Sequence, residues 1–201
     1  DIIVGYNTHG YDWEWIITAS MRLTIREHAE WARELLGDQA HADALLTEIV
    51  CLAAAYESGR PQDGGCATAE DLFRKVTRLA QDYAKANRRR NFPYCTNTHR
   101  QLAAISRGAW PIPGMFMREH LHVPNKKAPE IFGRWSLDIY EFIKNNVKLR
   151  SYKLDFVAEE FLQAGKDDMP YELIGEEFKT FEGRERIATY CAGDVSLVLD
   201  L

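Results

Sequence analysis

The sequence predicts an α/β fold interrupted by a long, mainly helical insertion. An apolar, β-branched run opens the chain at residues 1–7, and a second strand-like run occupies residues 131–140. Each run leads into a segment with apolar residues at helical spacing, and such alternation is typical of α/β proteins. Between them, residues 21–108 carry Ala, Leu, Glu and Arg at helical spacing and show no strand pattern.

The composition is that of an ordinary globular protein. The 201 residues are 46% hydrophobic and 27% charged, and the chain is long enough to bury a sizeable core. The formal net charge of −5 gives no general attraction to nucleic acid, so any such binding must come from local basic patches. No apolar run approaches the roughly 20 residues that a membrane span needs, so we expect no membrane partner.

The two ends of the sequence and its cysteines indicate what kind of protein the chain belongs to and in which compartment. The first residues read as a strand that begins at once, and the last ones stop within a helix, so we expect a segment of a longer protein. The four cysteines (Cys51, Cys66, Cys95 and Cys191) form no Cys-x-x-Cys pair, which argues against a zinc site and a disulfide framework. We therefore expect a reducing intracellular compartment.

We divide the chain into three parts. Residues 1–20 and 130–201 carry the strand and helix patterns of the α/β domain, residues 21–108 are the helical insertion, and residues 109–129 form a proline-rich connector. The histidines of the insertion stand singly and are expected at the surface. Helices of the insertion are predicted at residues 24–36, 40–56, 69–87 and 96–107.

Two acidic positions are candidates for chemistry. Asp12 lies where the first strand gives way to a helix; open α/β sheets place ligands there, but a carboxylate in a first helical turn also simply interacts with free backbone N–H groups. Tyr190 and Asp194 lie four residues apart on the closing helix, hence on one face. Such a pair can hold a divalent metal and position a water, or it can be a solvated helix edge. That helix is expected to dock on the core through Ile187, Cys191, Ser196, Leu197 and Leu199.

A basic cluster, Arg88, Arg89 and Arg90, follows the third helix of the insertion and precedes Phe92 and Tyr94. Cations next to aromatic rings are typical of surfaces that grip phosphates and stack a base. Cations also favour helix C-termini, so a solvated helix end is the alternative interpretation.

Three stretches resemble one family, the family B DNA polymerases. Residues 5–12, Gly-Tyr-Asn-Thr-His-Gly-Tyr-Asp, resemble its second exonuclease motif, an Asn followed by an aromatic-Asp pair. Residues 133–138 and the run Lys-Leu-Arg-Ser-Tyr-Lys-Leu at 148–154 resemble the segment that leads to the third motif in eukaryotic and large-virus members. Tyr190 to Asp194 is similar to that third motif, Tyr-x-x-x-Asp. The helical middle is not covered.

The resemblance implies an RNase H-like domain that removes the 3′-terminal nucleotide of DNA with two Mg²⁺ or Mn²⁺ ions. By transfer, Asp194 is a ligand of one ion, Asp12 serves the second, and Tyr190 orients the attacking water. The residues expected to bind DNA are Asn7, Tyr11, Lys166, Arg88, Arg89 and Arg90.

The family's first motif, Asp-x-Glu, and its polymerase palm are absent from these residues, so we expect little or no nuclease activity from the segment alone. The expected partners are a single-stranded 3′ end of DNA, the missing polymerase and N-terminal domains of the same chain, and replication accessory proteins. The expected location is the nucleus or the cytoplasm of a virus-infected cell, and the insertion suits a large DNA virus.

Two alternatives remain. One is another exonuclease of the Asp-Glu-Asp-Asp class with a tyrosine in its third motif, against which the run at 148–154 argues. The other is a catalytically silent exonuclease-like module that binds DNA or protein. The intact Asp12, Tyr190 and Asp194 argue against that module.

Overall fold

A computed structural model gives the structure of the chain and describes residues 2–37, 43–58, 68–87, 102, 105, 117–119, 127–129, 131, 133–165 and 169–201. Their elements are strand β1 (Ile2–Gly5), helices α1 (Asp12–Leu36), α2 (Ala44–Glu57) and α3 (Ala69–Ala86), strands β2 (Met117–Glu119), β3 (Lys127–Pro129) and β4 (Trp135–Asp138), and helices α4 (Ile139–Asn146), α5 (Leu154–Leu162), α6 (Tyr171–Glu177) and α7 (Phe181–Asp200). This mostly helical structure with a small parallel sheet is compatible with a partial α/β fold.

The chain divides into two compact units. Residues 1–8 and 134–201 form the first, here called the sheet unit, and residues 9–133 form the second, the helical unit. The predicted domain limits at residues 20, 108 and 129 stay predictions. Among the described helices of both units, none is long and apolar enough to cross a membrane.

Strands β1 and β4 form the parallel pair of the sheet unit. Their register sets Ile2 opposite Trp135 and Gly5 opposite Asp138. The strand expected at the start of the chain is confirmed, but it is only partly buried, since Ile2 is 63% exposed. Within the described chain β4 is its one hydrogen-bonded neighbour, and a two-stranded sheet covers little of its own surface.

The core of the sheet unit lies beside this pair. Ile139 and Ile143 of α4 are four residues apart on one helical face, and they are buried together with Val157 of α5. Side chains from β1, from residues 147–152 and from the end of α7 pack against them: Val4, Tyr6, Val147, Leu149, Tyr152, Val198 and Leu201. One core therefore contacts residues of two stretches that carry the sequence resemblance, 5–12 and 148–154, and the end of the helix that carries the third.

Tyrosines hold residues 147–152 against the end of β1. Tyr6 donates its hydroxyl proton to the backbone oxygen of Tyr152 at 2.7 Å. Tyr152 in turn donates to the backbone oxygen of Val147 at 3.0 Å, and its ring lies edge-on to that of Tyr140, 6.3 Å between centroids. Burial raises the pKa of Tyr6 to about 12, so this phenol keeps its proton and remains a donor.

The face of helix α7 that is partly buried in the sheet unit is not the face that its apolar pattern predicts. Cys191, Ser196 and Leu199 are exposed, so the predicted docking stripe is wrong at these positions. At 100° per residue, Ser196 lies on the side opposite to Ile187, about half a turn away. The half-buried positions instead recur every three or four residues, at Ile187, Tyr190, Asp194, Leu197 and Val198.

Helices α1, α2 and α3 pack around one core in the helical unit. The predicted helices 40–56 and 69–87 are confirmed within a few residues, whereas 24–36 is the second half of α1, which begins twelve residues earlier at Asp12. The fourth, 96–107, lies outside the described residues apart from 102 and 105. Caps set the starts, since Asp43 accepts N–H bonds at the start of α2 and Thr68 does so at α3. Strands β2 and β3 pair antiparallel within the predicted connector.

His28 is fully buried in α1, so its expected surface position is wrong. It lies at helical spacing from Thr24, Ile25 and Ala32, which face the same core. Its position on the helix, rather than its polarity, determines its environment. Burial disfavours the charged imidazolium and lowers the pKa of His28 to about 4.

The carboxylate of Asp138 joins the two ends of the sheet unit. Asp138 is buried, and its Oδ1 accepts the backbone N–H of Asn7 at 2.7 Å and that of Tyr140 at 3.1 Å. The second bond caps α4, whereas the first spans 131 positions of the chain. One side chain thus fixes both the start of a helix and the loop after β1.

We predict that the chain loses stability as the pH falls from 6.5 to about 4. In this window the unfolded chain protonates His28 and the folded chain does not, so stability decreases by about 3 kcal/mol in total. Denaturant unfolding followed by circular dichroism at several pH values measures this. The variant His28→Leu, similar in volume, should show a flatter pH dependence; equal curves for both proteins would contradict the prediction.

We also predict that Asp138→Ala destabilises the chain by about 2–3 kcal/mol, because it removes a helix cap and leaves the backbone N–H of Asn7 without its carboxylate acceptor. Asp43→Ala is the matched control, since Asp43 caps α2 through local bonds to Leu45 and Leu46 only. It should cost about 1 kcal/mol in the same unfolding experiment. Equal losses would show that the bond to Asn7 contributes nothing.

Candidate functional site

Tyr190 and Asp194 lie together on one face of α7. Both are half-buried, whereas the three residues between them are exposed. The Oδ1 atom of Asp194 is shielded from solvent. The face that holds this pair continues to Val198, which packs against the core beside β1. The pair is therefore not on a solvated helix edge, which disfavours that alternative, and its chemical role stays a prediction.

Asn7 occupies a strained turn directly after β1. Its φ of 56° lies in the left-handed region, which asparagine tolerates better than most residues. The turn is tight, because a Cβ atom on Gly5 would lie 2.1 Å from Cγ2 of Thr8. The backbone of Asn7 is fixed by Asp138, while the residue itself is exposed. The turn thus presents the Asn7 side chain to solvent, where a ligand can reach it.

Asp12 is the first residue of α1, so the predicted change from strand to helix is confirmed. Tyr11 is the N-cap and makes no capping bond with its side chain. Asp12 and Glu14 are both acidic residues of the first turn, where the helix dipole favours negative charge. The position is compatible with a ligand-binding carboxylate and with a purely electrostatic role.

The predicted residues fall in both units. Asn7, Tyr190 and Asp194 belong to the sheet unit, and Tyr11 and Asp12 belong to the helical unit. The other predicted DNA-binding residues, Lys166, Arg88, Arg89 and Arg90, lie outside the described residues, and their roles stay predictions.

The donor chemistry of Asp12 and Asp194 suits the predicted metal ions, because Mg²⁺ prefers carboxylate oxygens. Within the described ranges, however, no three His, Cys, Asp or Glu side chains come together as a metal-binding group. The described residues therefore do not form a complete metal site by themselves.

A groove on the outer face of α1 escaped the sequence reasoning. A cavity of about 280 Å³ is lined by Tyr11, Glu14, Trp15, Thr18, Ala19 and Arg22. A second cavity of about 360 Å³ shares Arg22 and is lined further by Ile25, Arg26, Tyr56 and Glu57. The signal in the sequence was a second stripe at helical spacing, residues 11, 15, 18 and 22, on the side away from the core.

Comparison with known proteins identifies relatives of this chain. No protein-family model matches it. It is 43% identical to the DNA polymerase delta catalytic subunit of Plasmodium falciparum over 76 residues, which are 37% of this chain and 7% of that protein. It is 32% identical to the DNA polymerase delta catalytic subunit of Schizosaccharomyces pombe over 117 residues, 58% of this chain and 10% of the relative.

A viral DNA polymerase is also similar to this chain. The chain is 37% identical to the DNA polymerase catalytic subunit of Human herpesvirus 8 over 89 residues, 44% of this chain and 8% of that protein. The chain therefore spans a tenth or less of the length of these relatives. It is similar to a segment of the DNA polymerase catalytic subunits of eukaryotes and herpesviruses, which is consistent with a fragment of a family B DNA polymerase.

Proposed function

We propose that this chain is part of the 3′→5′ proofreading exonuclease domain of a family B DNA polymerase, with an RNase H-like fold. The observation that carries the proposal is the placement of Tyr190 and Asp194 side by side on the half-buried face of α7. The same helix packs against β1, which leads into the turn at Asn7. The DNA polymerase relatives support a nucleic-acid substrate.

In this proposal the chain contributes two carboxylates and a phenol to the reaction. Asp194 and Asp12 hold Mg²⁺ or Mn²⁺ ions together with the carboxylates of an Asp-x-Glu motif elsewhere in the polymerase. Such ions, when bound, would supply Lewis-acid activation of the attacking water and of the leaving 3′ oxygen. Tyr190 holds the attacking water by a hydrogen bond and thereby orients it toward the terminal phosphate.

The remaining residues bind the substrate. Asn7 and Tyr11 hold the frayed 3′-terminal nucleotide of single-stranded DNA, and Lys166 contacts the phosphate that is cleaved. Arg88, Arg89 and Arg90 contact phosphates further along the strand. The partners are the polymerase and N-terminal domains of the same protein and replication accessory proteins, in the nucleus or in a virus-infected cell.

A catalytically silent exonuclease-like module is the second candidate. The exposed aromatic groove on α1 supports it, because binding at that groove requires none of the carboxylates. The two candidates predict different results when single-stranded DNA is incubated with the polymerase and Mg²⁺. An exonuclease shortens the 3′ end, whereas a silent module leaves it intact.

We predict that Asp194→Asn, in the polymerase that contains this segment, lowers 3′→5′ digestion of single-stranded DNA on the order of 1,000-fold. A ligated metal ion supplies several kcal/mol of transition-state stabilisation, and about 4 kcal/mol corresponds to that factor. Tyr190→Phe should lower the rate by about 100-fold, because it removes only the hydrogen bond to the water. Rates are measured with a labelled oligonucleotide and Mg²⁺, beside the polymerisation rate, which should not change.

Asp200→Asn is the matched control, since this carboxylate lies exposed at the end of the same helix. It should leave digestion at the level of the original protein. Digestion that persists in Asp194→Asn would overturn the proposal, and a polymerase without any 3′→5′ digestion would favour the silent module. The 201-residue chain alone should digest little or nothing.

A further inference from the structure

Helix α1 is apolar on two faces. Its inner face buries Trp13, Ile17 and Met21 at spacings of four residues. Its outer face carries Tyr11 at 66% and Trp15 at 65% exposure. Two large aromatic side chains one helical turn apart are therefore both open to solvent.

The outer face also carries positive charge in line with the rings. Arg22 lies seven residues after Trp15, two turns along the same face, and it lines both cavities. From Tyr11 to Arg22 the helix rises by about 16 Å, so the groove is elongated rather than round. An elongated surface with exposed rings and a cation is typical of sites for single-stranded nucleic acid.

A neighbouring helix orients the cation. The Nε of Arg22 donates to the hydroxyl of Tyr56 on α2 at 3.0 Å, which uses one of the five N–H donors of its guanidinium. Arg26, one turn further, forms an ion pair with Glu57 at 2.9 Å, so its charge is largely balanced. Arg22 is therefore the better candidate for a phosphate, and Tyr56 is a positioning residue that holds its side chain in the groove.

We infer that this groove, lined by Tyr11, Trp15 and Arg22, binds single-stranded DNA: Trp15 stacks on a base and Arg22 contacts a phosphate. The inference rests on the proposed function for its choice of DNA over a protein partner. The groove begins at Tyr11, the residue of the helical unit to which the proposed function assigns the 3′-terminal nucleotide. Glu14 opposes binding, because its carboxylate lines the same cavity and repels phosphates.

The test is a binding measurement that does not involve catalysis. Fluorescence anisotropy of a labelled oligodeoxythymidine with the 201-residue chain, in the presence of EDTA, gives a dissociation constant at each salt concentration. We predict that Trp15→Ala weakens binding about tenfold, since it removes the stacking of one base. Trp15→Phe should recover most of the affinity. Trp135→Ala is the matched control, because this tryptophan is 81% exposed in the sheet unit and should not matter.

The salt dependence of binding distinguishes stacking by Trp15 from a phosphate contact by Arg22. Arg22→Ala should reduce the slope of log K against log salt by about 0.7, the loss of one phosphate contact, whereas Trp15→Ala should leave the slope unchanged. Tyr56→Phe should weaken binding without changing the slope, because the charge remains. Arg33→Ala, an exposed arginine in the last turn of α1, is the control for charge alone. Glu14→Gln should tighten binding about threefold, since it removes an exposed like charge and leaves the fold intact.

The result separates this inference from the proposed function. Binding that is insensitive to Trp15→Ala and Arg22→Ala overturns the DNA groove, whatever the exonuclease test shows. A chain that binds no single-stranded DNA at all also overturns it and leaves the groove as a surface for a protein. If Asp194→Asn loses digestion and the 201-residue chain binds single-stranded DNA through Trp15 and Arg22, the proposed function and this inference are both supported.

Discussion

The sheet unit depends on the bond between the Asp138 carboxylate and the backbone of Asn7. It connects two parts of the chain that 131 positions separate, and it lies at the end of the parallel pair of β1 and β4. The entropy needed to close so long a loop grows only slowly with its length, so an insertion between these parts costs little once the bond and the core form. A buried carboxylate that accepts two N–H groups also fixes the turn in which Asn7 adopts a positive φ.

Residues of the run at 148–154 pack against the core of the sheet unit. Leu149 and Tyr152 pack on the core formed by α4 and α5, and the backbone of Tyr152 accepts the proton of Tyr6. The run therefore attaches the end of β1 to the core of α4 and α5 and is part of the scaffold. Helix α7 packs on the same core through Val198 and Leu201. The packing that holds the run also holds the helix with the candidate catalytic pair.

Sequence periodicity predicted the positions of helices and strands better than it predicted which of their residues are buried. The helices of the insertion, the strand at the start and the helix that begins at Asp12 follow from local spacing and turn residues, which act within a few positions. The face that a helix buries depends on its neighbours, so Ser196 and Leu199 were assigned to the wrong side of α7 and His28 to the surface. The long-range bond from Asp138 to Asn7 has no local signal. The pairing of Tyr190 with Asp194 was predictable, because four residues make one turn.

Trp13 and Trp15 show how far the position on a helix determines the use of a side chain. They are two residues apart on α1, yet one is 7% and the other 65% exposed. Trp13 contributes to the core, whereas Trp15 gains nothing for folding that a polar residue would not supply at lower cost in water. Arg22 lies on the same outer face, where its Nε donates to the hydroxyl of Tyr56 on α2. Packing in the three-helix core accounts for the inner face of this helix, and the proposed groove assigns a use to the outer one.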